Sequence, residues 1–332
     1  ALHGGRASLA FSQDSRFYRN PRMPPRKTCA VVGGGTMGAD IALTLARAGC
    51  PTHLVETFAA VREALPARLA AGLAALGCPD RLDFLEVHAS LDDLDWPAVD
   101  LVIEAVPEKL GPKRALFADL ARRTRPDAWL ASNSSSFPIS AIVEGLPGQG
   151  RCIGLHYFMP AHLVPMVEVV CGAGTDPAVA RALADFMRAT GKVPVIVRKD
   201  LPGFLANRLQ HALAREAYAL IDAGVATAED VDAAVRFGFG FRYLAAGPIL
   251  QKDHAGIDVH AAAAATMYPD LAANTVPAKC LTDRVAAGRL GMKTGGGFYD
   301  WTPETIAAEK ARYEAVLRGA LALLADELPK VE

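Results

Sequence analysis

The sequence predicts an α/β fold, a doubly wound and mostly parallel sheet, followed by a C-terminal all-α domain. Three observations predict it. An apolar strand runs into a glycine turn and a helix at TCAVVGGGTMGADIALTLARAG. Short buried strands then alternate with helical segments to about residue 200. From DLPGF onward the apolar spacing is helical.

A chain of 332 residues is long enough for two domains, each with its own core. Its 35 basic and 36 acidic residues leave a net charge of -1, so it lacks the footprint of a nucleic-acid or anionic-membrane binder. Cys29, Cys50, Cys78, Cys152, Cys171 and Cys280 form no CxxC and no metal-ligand spacing, and no metal is expected. Several lie in apolar runs and read as reduced core thiols of a cytoplasmic protein. No apolar stretch reaches the roughly 18 residues that span a bilayer. Residues 1–25 are basic, contain serine and have almost no acid, as a transit segment or an unstructured leader would. They are read as a leader outside the fold, which leaves residues 26–200 for the sheet domain and 201–332 for the helical one.

Cys29–Val32 reads as the first strand, and the helix after the turn runs to about Ala48, where Gly49 tolerates the positive φ that ends it. Gly33, Gly35 and Gly38 have the GxGxxG spacing: one for the tight turn, one for close approach of a pyrophosphate, one for helix–strand packing. The second strand, THLVE, ends in Glu56, 18 residues after the last glycine, where a carboxylate accepts from ribose hydroxyls and repels a 2′-phosphate. A Rossmann-like domain binding NAD is the reading; a flavin-binding or cofactor-free domain is the alternative. A helix (about Ala59–Leu76), a short strand near FLEVHAS and a buried strand at Leu101–Ala105 follow. Beyond that strand, Glu108 and Lys113 line the nicotinamide side or form a solvated ion pair on the next helix, about Pro112–Arg123.

WLASNSSS is a further strand running into a hydroxyl-rich loop, whose Ser134, Ser135 and Ser136 also suit a turn cap. RCIGLHYF and MVEVV are strand-like and place His156 and Glu168 twelve residues apart. A buried carboxylate needs a partner, and an imidazole held by one is a general acid/base near neutral pH. A satisfied core histidine is the plainer reading of His156 taken alone.

The motifs VVGGGTMGADIA, EAVPEKLGPKRALF, ASNSSSFPIS, GLHYFMP, MVEVV, PGFLANRL and KTGGGFYDW, in this order from Lys27 to Trp301, resemble the L-3-hydroxyacyl-CoA dehydrogenase family. The resemblance implies an NAD-dependent hydride transfer at C3 of a 3-hydroxy substrate. His156 would be the catalytic histidine, Glu168 its orienting carboxylate, and Ser135 and Asn207 the groups holding the substrate oxygen. It implies that Glu108 and Lys113 contact the nicotinamide ribose. Thr36, Met37 and Asn133 join the glycines and Glu56 as expected cofactor contacts.

The match also departs from the family. Its usual HFFNP reads HYFMP here, so Met159 replaces an amide able to hydrogen-bond. The serine and lysine that hold CoA in the acyl-CoA enzymes fall on Gly72 and Pro79. Only Arg62, Arg68 and Arg81 remain as cations there, a poor provision for a phosphorylated handle.

The second half reads as a helix starting at Pro202 and ending before Gly224, with Asn207 and His211 on one face. Asn207 is otherwise a helix-packing amide. A second helix is capped by Thr227 with Asp230 three residues on; others follow at Ile257–Met267 and from Pro303. GFGFRYLAAGP resembles the branch with gulonate dehydrogenase, lambda-crystallin and carnitine dehydrogenase. Arg242 is a candidate clamp for a substrate carboxylate, or an interface or surface ion-pair residue. The tail GRLGMKTGGGFYDW is closer to the acyl-CoA enzymes. The expectation is a homodimeric NAD-dependent dehydrogenase of a small free 3-hydroxy acid, with a 3-hydroxyacyl-CoA as the alternative substrate and a non-catalytic NAD-binding protein as the third reading.

Overall fold

The computed structural model describes residues 26–331, so the expected leader, 1–25, lies outside the described residues. The described chain forms two units: residues 26–202 together with 326–331, and residues 203–325.

The first unit is an eight-stranded sheet. Its strands are β1 (Cys29–Val32), β2 (Thr52–Val55), β3 (Leu85–His88), β4 (Leu101–Glu104), β5 (Trp129–Ser132), β6 (Cys152–Tyr157), β7 (Met166–Val170) and β8 (Val193–Val197), in the order β3-β2-β1-β4-β5-β6-β7-β8. All neighbours pair in parallel except β6 and β7, which are antiparallel. The chain leaves β1 for β2 on one side and returns to β4 on the other, which opens a crevice at the carboxyl ends of β1 and β4.

Side chains alternate across a strand, so continuous apolar runs feed both faces at once. Cys29, Val31, Leu101 and Ile103 enter one core with Ile41, Leu45, Leu69 and Leu73, from helices α1 (Thr36–Arg47) and α2 (Ala59–Ala75). Ala30, Val32 and Val102 enter the other, with Phe117 and Leu120 of α3 (Leu110–Arg123) and Ile139 and Ile142 of α4 (Ile139–Ile142). Leu45, Leu73 and Leu101 are fully buried, and truncating one of them to alanine costs about 2–5 kcal/mol. Helix α5 (Pro177–Ala189), capped by Asp176 through the Ala178 amide, covers the β7–β8 end with Leu183 and Met187.

The glycine turn is fixed by sterics. Gly33 sits at φ 107°, and a Cβ on Gly38 would lie 1.7 Å from the Gly33 carbonyl oxygen. No side chain other than hydrogen fits at Gly38.

The second unit contains α6 (Ala206–Asp222), α7 (Ala228–Ala233), α8 (Gly240–Arg242), α9 (Leu250–Ala255), α10 (Ile257–Met267), α11 (Lys279–Ala286) and α12 (Pro303–Leu323). The Thr227–Asp230 capping box is formed, and helices occupy Ile257–Met267 and start at Pro303 as expected. The expected start at Pro202 needs correction. Gly203 and Phe204 have φ of 77° and 51°, so right-handed winding begins only at Ala206. The wide turn Ala234–Phe239 after α7 is kinked at Gly238.

Candidate active site

The crevice begins at the turn between β1 and α1. Helix α1 starts without a side-chain cap, so its first backbone N–H groups are free to meet an anion. A Cβ at Gly35 would meet nothing within 4 Å, whereas Gly33 and Gly38 are closed in by backbone. Gly35 and Thr36 are exposed and Met37 is half-buried. Glu56, just past β2, accepts hydrogen bonds from the Gly34 amide at 2.8 Å and the Phe58 amide at 2.8 Å. Each carboxylate oxygen keeps a lone pair for a ribose hydroxyl. An uncapped helix start, an open glycine and an anchored carboxylate together fit a dinucleotide.

Beyond β4 lies a buried polar network that the sequence reading missed. Glu104, the last residue of β4, is fully buried. One of its oxygens accepts from the Lys113 ammonium at 2.6 Å and the Val106 amide at 2.8 Å; the other accepts from the Ser132 hydroxyl at 2.6 Å. Lys113, on α3, also donates to the Val106 carbonyl at 3.2 Å and lies 3.1 Å from a Glu108 oxygen. Lys113 is 1% exposed, so its pairs with Glu104 and Glu108 are formed by a buried ammonium and not by one standing in solvent. The signal for Glu104 was an acid ending an apolar strand, in DLVIEA, where it needs a buried cation.

Glu108 gathers the serine loop. It accepts from the Ser134 hydroxyl at 2.6 Å, the Ser136 hydroxyl at 2.7 Å and the Ser135 and Ser136 amides at 3.2 and 3.0 Å. Partial burial pushes its carboxyl upward. The Ser134 and Ser136 hydroxyls, the Lys113 charge and the Ser136 amide outweigh burial and hold it down to about 2. Asn133 accepts from the Tyr157 amide at 2.9 Å, which joins the ends of β5 and β6.

His156 on β6 and Glu168 on β7 face each other in register, and Nδ1 lies 2.7 Å from the carboxylate. Both residues are buried, and the Phe158 ring meets the imidazole edge-on at 4.5 Å between centroids. The exposed Ser135 hydroxyl sits 3.0 Å from His156 Nε2. A carboxylate accepts only, so Nδ1–H donates to it and the Nε2 lone pair faces Ser135. Met159 is 66% exposed and so adds no buried polar demand beside this pair.

The structure thus brings Glu108, Ser135, His156 and Glu168 to one end of the sheet. Asn207, half-buried, is the second residue of α6, and Arg242, exposed, ends α8; both belong to the helical unit. Among the described residues Arg242 makes no ion pair.

The chain matches the family model for 3-hydroxyacyl-CoA dehydrogenase, NAD binding domain, over residues 28–201 and that for the C-terminal domain over residues 203–301. It is 32% identical to the 5-formyl-3-hydroxy-2-methylpyridine 4-carboxylate 5-dehydrogenase of Mesorhizobium japonicum, over 89% of this chain and 98% of the relative. It is 36% identical to the 3-hydroxyadipyl-CoA dehydrogenase of Escherichia coli, over 84% of this chain but 60% of that longer protein. A crystal structure of a 5-formyl-3-hydroxy-2-methylpyridine 4-carboxylic acid 5-dehydrogenase, an NAD+ dependent dismutase, superposes with a TM-score of 0.83 at 30% identity, covering 90% of this chain and 97% of that one.

Proposed function

The chain belongs to the 3-hydroxyacyl-CoA dehydrogenase family and is an NAD-dependent oxidoreductase acting on a CH–OH group of a small molecule; from that premise we propose that its substrate is a small free hydroxy acid and that His156 is the acid/base. When bound, NAD supplies the hydride acceptor. His156 Nε2 takes the hydroxyl proton of the substrate, and Glu168 keeps Nδ1 protonated and stabilises the imidazolium that results. The Ser135 hydroxyl, already 3.0 Å from Nε2, holds the reacting oxygen. Glu108 keeps the serine loop in place, and Glu56 selects NAD over its 2′-phosphorylated form.

The observation that carries the free-acid reading is at Gly72, where the acyl-CoA enzymes have a CoA-binding serine. A Cβ there would lie 2.5 Å from Leu43 Cδ1, so the position serves the packing of α2 on α1. The cations nearby are also engaged. Arg62 donates to the carbonyls of Glu56 and Thr57, Arg68 to those of Gly35 and Thr36 and to Asp40, and Arg81 lies over the Phe84 ring. Arg242 is then the clamp for the substrate carboxylate. The deciding experiment pairs NAD reduction by a panel of free 3-hydroxy acids with NADH oxidation by acetoacetyl-CoA. Turnover of the thioester alone overturns the reading, and an Arg242→Ala protein with full turnover of the best free acid removes the clamp.

The helical unit exposes Phe237, Phe241, Ile249, Ile257 and Tyr268, each at least 66% accessible in the single chain. That apolar surface supports a homodimer formed through this unit. Light scattering across a dilution series tests it, and a monomer mass at all concentrations overturns it. Six free cysteines support a reducing, cytoplasmic setting.

A further inference from the structure

Strands β2 and β3, at the far edge of the sheet from His156, carry three side chains whose ligand atoms converge. His53 pairs with Glu86 in the parallel register, and His88 follows Glu86 by two residues, so strand alternation puts all three on one face. His53 Nδ1 lies 3.0 Å from His88 Nε2 and 3.3 Å from a Glu86 oxygen, and that oxygen lies 3.5 Å from His88 Nε2.

A hydrogen-bonded chain of three such groups would be extended, with the middle ring using both of its nitrogens. Here a single atom from each residue meets the other two in a triangle. One proton between the rings satisfies one edge and leaves the remaining lone pairs facing one another. An ion bonded at about 2.0–2.2 Å to nitrogen and carboxylate oxygen places its ligands roughly 3–3.5 Å apart. The three edges have that length. The histidine side chains are 23% and 17% exposed and the glutamate 66%, so water has access to complete the coordination.

We propose that His53, Glu86 and His88 form a binding site for one divalent transition-metal ion, with Zn2+ the best fit. Two imidazoles and one carboxylate suit a borderline ion; Mg2+ and Ca2+ prefer sites made of oxygen. The site clamps edge strand β3 to its neighbour β2. The His88 carbonyl also accepts from the Glu56 amide at 3.0 Å, so the clamp adjoins the carboxylate at the nucleotide end of the crevice.

Equilibrium dialysis of the metal-stripped full chain against Zn2+, with Mg2+ in parallel, tests the proposal alongside His53→Ala and His88→Ala proteins. The expected result is one Zn2+ per wild-type chain beyond what either variant binds, and no Mg2+. Each variant should lose at least about tenfold in affinity, the loss seen when even an outer partner of a metal site is removed. Zn2+ should also raise the melting temperature of the wild type and leave that of the variants in place. Equal zinc binding by wild type and variants, or none by the wild type, overturns the site. If a histidine variant fails to fold, Glu86→Gln, on a largely exposed side chain, carries the same comparison.

Discussion

His156 Nδ1 lies 2.7 Å from Glu168 because the two residues are register partners across the antiparallel β6–β7 pair. Backbone pairing, and not loop geometry, sets the distance. Replacing Glu168 with glutamine keeps the shape but offers an amide donor to Nδ1. The ring then carries its proton on Nε2 and loses its basic lone pair. Turnover should fall on the order of 10³–10⁴-fold, as when the orienting carboxylate of a catalytic histidine becomes an amide. His156→Gln should fall by about 10²–10⁴-fold while binding NADH as the wild type does. Steady-state kinetics beside a fluorescence titration separates the two effects, and undiminished turnover in either protein rejects the assignment.

Glu56 bonds to the glycine turn through one oxygen and to the Phe58 amide through the other. Its replacement by glutamine removes the charge that repels a 2′-phosphate. The ratio of kcat/KM for NADP to that for NAD should rise, and KM for NAD should increase with the loss of a charge-assisted bond, about tenfold or more. An unchanged ratio would mean that another group reads the ribose.

The Glu108 carboxyl is held at about 2, against an ordinary 4.5, chiefly by serine hydroxyls, with partial burial opposing. Because the folded state binds this proton less readily than the unfolded one, its contribution to stability is complete above about 4.5 and is lost as pH falls toward 2. Chemical denaturation of Glu108→Gln beside the wild type should show the gap between them closing over that window. A gap that stays constant below pH 4.5 would count against the hydrogen-bond account.

Lys192 is buried, donates to the Ala161 and Val164 carbonyls in the β6–β7 connection, and is lowered from 10.5 to about 7 by burial and by Arg47, with Asp40 opposing. Between those values the unfolded chain binds a proton that the folded chain does not, so its contribution to stability rises with pH from about 7 to 10.5. Against Lys192→Met, the wild type should gain relative stability on going from neutral to alkaline pH. A difference that shrinks instead would show that the lysine stays charged in the folded state.

The alternating strands and helices were legible because fully buried strands read as apolar runs and glycine has few other reasons to recur at GxGxxG spacing. His156 and Glu168 stood out as polar residues within such runs, although their register had to come from the sheet. Glu104 was hidden by the same logic: it ends LVIE as one acid after three apolar residues, and its meaning lies in Lys113 and Ser132 on other elements. The triangle of His53, Glu86 and His88 was invisible for a related reason. Its members sit on two strands, and no local spacing marks them. The Pro202 helix start failed because two consecutive left-handed residues cannot be seen in PGF.

The Glu104 network has a consequence for altering what this protein accepts. The serine loop beside His156 is fastened from beneath, by a fully buried carboxylate and a buried ammonium. Met159, 66% exposed three residues after His156, can therefore be exchanged to reshape the surroundings of the site while that anchorage stays intact. Changes at Glu104, Lys113 or Ser132 would release the loop whatever the substrate, which divides this part of the chain into positions open to redesign and positions to leave alone.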